Sequence, residues 1–330
     1  MDFNIKLKIL PLLVFLIICL SLFSSGCTDS DNSKVDSGTG KQVENIAAGA
    51  PIVVAVSVLP QAEFVEKVGG NRVKTVVVIP PGADPHTYES SPREIEGISK
   101  ASMFVTVGVD MPFEKIWIGR FENINSRTLI INSSEGIGIR ELVSRNHKEG
   151  EQTGEPRGGH ENESLADYEE LDPHVWTSPA NAKIMVENIF KGLVKIDPEN
   201  EAYYSQNKDA YIKELDALDS RIREKLEGRK ERNFMVYHPS WGYFAADYGL
   251  TMIPVEIEGK EPSAQDLAKL VNLAKEKKVK VIFVQPQFST RSAQAVAEEI
   301  GGEVVAVDPL AKDYIANMDK VSDIFARNLV

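Results

Sequence analysis

From residue 51 onward, short runs of β-branched and aliphatic residues alternate with stretches whose apolar positions recur every three or four residues. The strand-like runs fall at 52–56, 73–79, 103–107 and 128–132, with helical pieces at 61–68 and 92–101 between them. After a polar stretch and a helix starting near Pro179, the alternation returns. Strands are expected at 234–237, 251–255, 279–284 and 304–307, and helices at 264–277 and 291–300. Nearly continuous apolar strands interleaved with helices predict parallel sheets covered on both faces. The expectation is an α/β fold of two lobes, each a four-stranded mostly parallel sheet with flanking helices. Ahead of that second alternation, Tyr211, Leu215, Leu218, Ile222 and Leu226 step by three or four residues, which predicts a long one-sided helix over 203–227.

Helix starts are marked by Ser91-Pro92-Arg93-Glu94, with a capping Ser, a Pro at the first helical position and a Glu three residues after the cap. Ser178-Pro179 and Ser263 with Asp266 are similar signals. Each follows a loop at the carboxyl end of an expected strand, where ligands of open parallel sheets bind.

Three of the five histidines lie in such loops. His86 follows the run at 73–79, His174 precedes the Ser178 cap, and His238 ends the run at 234–237, while Asp308 closes the last strand. A proline stands beside each: Pro85, Pro173, Pro239 and Pro309. Prolines stiffen the loops and reduce the entropy lost when a ligand is held. Taken singly, each histidine also reads as a hydrogen-bonded loop residue and Asp308-Pro309 as a turn. Together, three imidazoles and a carboxylate suit a tetrahedral divalent metal, two ligands from each half.

At the N-terminus, Lys6 and Lys8 precede a 15-residue apolar run from Ile9 to Phe23, which ends in Ser24-Ser25-Gly26-Cys27. The run is shorter than the roughly 20 residues of a membrane-spanning helix, and the pattern reads as an export signal. It resembles a lipoprotein signal with Cys27 as the acylated residue, although Ser24 stands where an aliphatic residue is usual; an uncleaved anchor is the alternative. The only cysteines are Cys19 and Cys27, so the folded part has no disulfide and no thiolate metal site. The expected organisation is a signal peptide at 1–26, a flexible tether at 27–50, an N-terminal metal-binding lobe at 51–200, the linker helix at 201–228 and a C-terminal metal-binding lobe at 229–330.

Acids outnumber bases by 49 to 37, giving a formal charge of −12, which argues against a nucleic-acid partner and favours a cation. The stretch 144–172 is acidic and lacks apolar periodicity, and it carries the other two histidines, His147 and His160. It reads as a solvated loop.

The motifs Pro80-Pro81-Gly82-Ala83-Asp84-Pro85-His86-Thr87-Tyr88-Glu89, Asp172-Pro173-His174-Val175-Trp176, Tyr237-His238-Pro239-Ser240-Trp241-Gly242-Tyr243-Phe244 and Val284-Gln285-Pro286-Gln287-Phe288-Ser289 resemble those of the zinc- and manganese-binding receptors that serve ABC importers. The resemblance covers the chain from about Pro51 onward. It implies two lobes joined by a rigid helix, a metal buried between them, and only modest closure. By position His86, His174 and His238 match the first three ligands of that family and Asp308 the fourth. Manganese-type members have a carboxylate at the third position; His238 there favours Zn²⁺, with Mn²⁺ as the alternative cargo. The implied partners are a metal-importer permease and, through the lipid anchor, the outer face of the cell membrane, with the receptor a monomer.

An enzyme is not expected. There is no His-Glu-x-x-His helix, no Gly-x-Ser-x-Gly elbow and no phosphate loop; a zinc-dependent hydrolase or a surface adhesin lipoprotein remain the competing readings. Because ligand imidazoles must be unprotonated, metal affinity is expected to fall as pH drops through the ordinary histidine range.

Overall fold

The computed structural model describes residues 50–91, 94–95, 98–109, 111–143, 171–257 and 260–329. Eight strands form two sheets of four. The first holds β1 (Ile52–Val56), β2 (Val73–Val77), β3 (Met103–Thr106) and β4 (Leu129–Asn132) in the order β2-β1-β3-β4. The second holds β5 (Asn233–Val236), β6 (Thr251–Pro254), β7 (Val281–Val284) and β8 (Glu303–Ala306) in the order β6-β5-β7-β8. Every pairing is parallel, with Ile52 opposite Val73 and Met235 opposite Ile282. The two lobes therefore share one topology, and each gathers its strand ends along a single edge.

The strands are shorter than the apolar runs that predict them. In the run at 73–79, Pro80 and Pro81 have no N–H to continue a ladder, and the pairing ends with Val78 N and Ile79 N donating to Val56 O and Ser57 O. In the run at 279–284, Val279 N donates instead to Ala274 O, closing the preceding helix.

Capping follows the sequence signals. Ser178 Oγ accepts from Asn181 N at 3.0 Å to start α3 (Pro179–Ile196), and Ser263 Oγ accepts from Asp266 N to start α6 (Ala264–Glu276). Ser91 and Glu94 form a reciprocal box: Ser91 N donates to Glu94 Oε2 at 2.7 Å and Glu94 N to Ser91 Oγ at 3.4 Å.

Linker helix α4 runs 26 residues, Glu201–Leu226, roughly 39 Å at 1.5 Å per residue. Its buried stripe is Tyr204, Tyr211, Leu215, Leu218, Ile222 and Leu226. On one side it packs against α1 (Leu59–Gly69) and α3 of the first lobe, and on the other against α8 (Tyr314–Asn328) of the second.

Three helices were not anticipated from the sequence: α2 (Pro112–Ile124), α5 (Gly242–Asp247) and α8. Helix α8 carries a readable stripe, Tyr314, Met318, Val321 and Phe325, all buried. Helix α7 (Arg291–Ile300), which was expected, ends at Gly301 with φ 63°, a left-handed turn that glycine adopts without strain.

One continuous apolar core contains the first sheet, the linker stripe and the inner side of the second lobe, including Phe234, Phe244, Phe283 and Phe325. A second cluster, around Met235, Ile282 and Leu270, fills the outer side of the second sheet. Hydrogen bonds also cross between lobes: Trp176 Nε1 donates to Pro309 O at 2.8 Å, Tyr314 N to Glu63 Oε2, and Ser178 Oγ to Asp247 Oδ2. A shared core and these bonds oppose wide hinge motion.

Phe325 stacks on Phe283 at 4.3 Å and meets Phe234 edge-on at 4.8 Å, fully buried where α8 seals the second lobe. Phe325→Ala should lower unfolding free energy by about 3–5 kcal/mol in a denaturant titration. Ile116→Ser, at a position 57% exposed, should change it by less than about 0.5 kcal/mol. Equal losses in the two variants would remove Phe325 from the core.

Candidate metal centre

The loop after β2 is turned by Asp84, whose Oδ1 accepts from His86 N at 2.9 Å and whose Oδ2 accepts from Thr87 Oγ1 at 3.1 Å. This turn presents His86 to the space between the sheets. His174 sits before α3. There Asp172 Oδ1 accepts from both His174 N, 2.9 Å, and His174 Nδ1, 2.8 Å. Asp172 is held in turn: its backbone O accepts from Tyr243 OH at 3.2 Å, and its N donates to Arg140 O at 2.9 Å. A Cβ on Gly242 would stand 2.5 Å from Asp172 Oδ2, so this approach requires glycine.

His238 follows β5. Its Nδ1 lies 2.7 Å from Glu256 Oε1, just past the end of β6. Its backbone N donates to Gln285 Oε1, and its backbone O accepts from Gln285 Nε2, so the amide clamps the peptide from both sides. Phe288 stacks flat on the imidazole at 4.7 Å with 19° between planes.

These loops bring three ring nitrogens together. His174 Nε2 is 3.2 Å from His238 Nε2 and 3.4 Å from His86 Nε2, and the three ligand atoms lie within 4.8 Å of one another. A carboxylate can only accept, so the Nδ1 atoms of His174 and His238 carry the protons donated to Asp172 and Glu256. In neutral rings each Nε2 is then an acceptor, so a direct Nε2–Nε2 hydrogen bond needs one ring to carry a second proton. The spacing matches a coordination edge instead, since nitrogens bound at about 2.0–2.1 Å around tetrahedral zinc stand roughly 3.3 Å apart.

Burial holds His86 down to about 2, helped by the neighbouring His174 and His238 rings. Burial also lowers His174, outweighing the opposite pull of Asp172. The sequence places proton competition in the ordinary histidine range; at these two ligands burial displaces it to lower pH.

The cavity beside the rings is about 10 Å³ and is walled by Pro85, Trp176, Phe288, Pro309 and Leu310. That is the space of one water.

Of the residues singled out from the sequence, the fold brings His86, His174 and His238 into one cluster. Asp308 lies at the same end of the second sheet, where its Oδ1 accepts from Leu310 N at 2.9 Å and Gln287 Nε2 at 3.2 Å; it is not in the cluster of mutually close ligand atoms. Cys27, His147 and His160 lie outside the described residues. Two partners escaped the sequence reading. Asp172 lay inside a quoted motif without a role, and Glu256 was not noticed, although its position after a strand end was the available signal.

Residues 54–328 match the family described as zinc-uptake complex component A, periplasmic. The chain is 31% identical over 288 residues to the high-affinity zinc uptake system protein ZnuA of Bacillus subtilis strain 168, covering 85% of this chain and 86% of that protein. It is 27% identical to the zinc-binding lipoprotein AdcA of Streptococcus pneumoniae serotype 4, covering 83% of this chain but spanning only 55% of that longer relative. A crystal structure of ZnuA superposes with a TM-score of 0.75 at 36% identity, over 85% of this chain and 100% of that one. With the family matched along nearly all of the folded region, this chain belongs to the zinc-uptake complex component A family.

Proposed function

We propose that this protein is an extracytoplasmic receptor that captures Zn²⁺ between its lobes and passes it to the permease of an ABC importer. The observation that carries this reading is the pair of Nε2 atoms held 3.2 Å apart while both Nδ1 atoms are committed to carboxylates. A cation between them makes that contact favourable. His86, His174 and His238 are the proposed ligands. Family membership and the names of the relatives support zinc as cargo.

Three imidazoles favour zinc over manganese, which prefers harder oxygen donors, so Mn²⁺ binds more weakly in this reading. Asp172 and Glu256 orient the rings and raise their basicity. In this reading no chemical step is involved. We assign residues 1–26 to a signal peptide, Cys27 to a lipid anchor and 27–50 to a tether, ahead of lobes at 51–200 and 229–330 joined by the helix at 201–228. One relative named a lipoprotein supports the anchor.

Calorimetric titration of the metal-stripped protein should show one tight Zn²⁺ per chain and much weaker Mn²⁺. His238→Ala and His86→Ala should each weaken zinc by at least about a hundredfold. Tight manganese binding would change the cargo, and no tight binding of either metal would sink the receptor.

A second outcome follows from the buried neutral rings. An unfolded histidine takes up a proton near pH 6.5, whereas His86 in the fold stays neutral until about pH 2. The unfolded chain therefore binds more protons as pH falls below about 6.5, and the metal-free fold loses stability over that window. Between pH 7.5 and 5 the His86 contribution should reach up to about 2 kcal/mol, from 1.4 kcal/mol per pH unit. Thermal unfolding should show the decline, and His86→Asn should flatten it; an equally steep profile in the variant would refute the assignment.

A further inference from the structure

Gln287 stands in the loop between β7 and α7 and lines the same cavity as the three histidines. Its Nε2 donates to Asp308 Oδ1 at 3.2 Å. Because that carboxylate oxygen accepts, the bond fixes which end of the amide is which. The other end, Oε1, is buried and has no hydrogen-bond partner. A buried acceptor left unmet costs free energy, so a donor belongs there.

One carboxylate oxygen of Asp308, Oδ1, is occupied elsewhere. The oxygen that receives Gln287 also accepts from Leu310 N at 2.9 Å, closing the turn after β8, and the Asp308 backbone O accepts from Asn317 Nδ2 at 2.7 Å. The residue is fastened to its own loop.

Three imidazole nitrogens, two of whose separations match a tetrahedral edge, leave one coordination position, and the cavity beside them has the volume of a single water. A water on a cation has protons to donate and no remaining need for a donor, which is the complement of an orphan amide oxygen. We propose that Gln287 is a positioning residue: its Oε1 holds one water on the fourth position of the captured zinc, and Asp308 acts through the Gln287 amide rather than as a ligand. The arrangement rests on the three-histidine receptor reading and deepens it.

The test loads the metal-free full chain with Co²⁺ in water enriched in the magnetic oxygen isotope and records the low-temperature electron paramagnetic resonance spectrum. Line broadening reports a solvent oxygen on the metal. Broadening is expected in the wild type and equally in Asp308→Ala. Gln287→Leu, and Gln287→Met as a second acceptor-free variant, should weaken zinc about tenfold in a chelator competition. The Asp308→Ala/Gln287→Leu double variant should be no weaker than Gln287→Leu alone, because both changes act on one water. Broadening absent from the wild type but present in Asp308→Ala would make Asp308 the fourth ligand and overturn the proposal. Unchanged zinc affinity in both Gln287 variants would overturn it as well. A wild type that takes up neither Co²⁺ nor Zn²⁺ would fail earlier, taking the receptor reading with it.

Discussion

The Nε2 atoms of His174 and His238 face each other at 3.2 Å, and the rest of the molecule is arranged so that the rings cannot turn away. His174 is fixed by Asp172 through both its ring and its backbone, and His238 by Glu256 and the Gln285 clamp. Each fixing carboxylate is itself almost wholly buried, Asp172 at 1% and Glu256 at 5% exposure. Buried carboxylates bonded to imidazole rings favour a positive charge close by, which suits a cation at the ring cluster. The same constraint explains why the site is preorganised: rings tethered in this way lose little freedom when the ion arrives.

Holding such a contact requires a scaffold that does not relax. The linker stripe, the first sheet and the aromatic cluster around Phe325 are parts of one core, so the lobes do not have separate interiors to swing on. Trp176, two residues from His174, hydrogen-bonds to Pro309 in the loop that follows β8. Tyr243 on α5 reaches both Arg140 N and Asp172 O. His174 therefore belongs to the first lobe by chain position and to the second by attachment.

Much of this was legible in the sequence, for a physical reason. Parallel strands buried on both faces write themselves as apolar runs, and the loops at their carboxyl ends are where chemistry collects, so His86 and His238 stood out at once. Glu256 did not, although the shared strand order makes its loop after β6 the counterpart of the His86 loop after β2. In an acidic chain one more glutamate carries no signal, whereas one of five histidines does. Strand ends were overrun where apolar residues continue past the ladder, as at Val78 and Val279, because burial does not distinguish a sheet from the turn that leaves it. The stripe of α8 was present at Tyr314, Met318, Val321 and Phe325, yet nothing in it revealed that it would seal the second lobe and meet the linker. Packing partners far apart in sequence leave no local trace.

The three proposed ligands are not mechanically equal. His174 and His238 are each bonded to a buried carboxylate and are tied to one another's lobe through Trp176, Pro309 and Tyr243. The turn that carries His86 is bonded chiefly to its own Asp84, and its ring is less deeply buried than the other two. A fold with one shared core can vary the site least at the pair it has clamped and most at the loop it has not. The His86 loop is therefore the least tethered of the three proposed ligand positions, while His174 and His238 are held by their carboxylates.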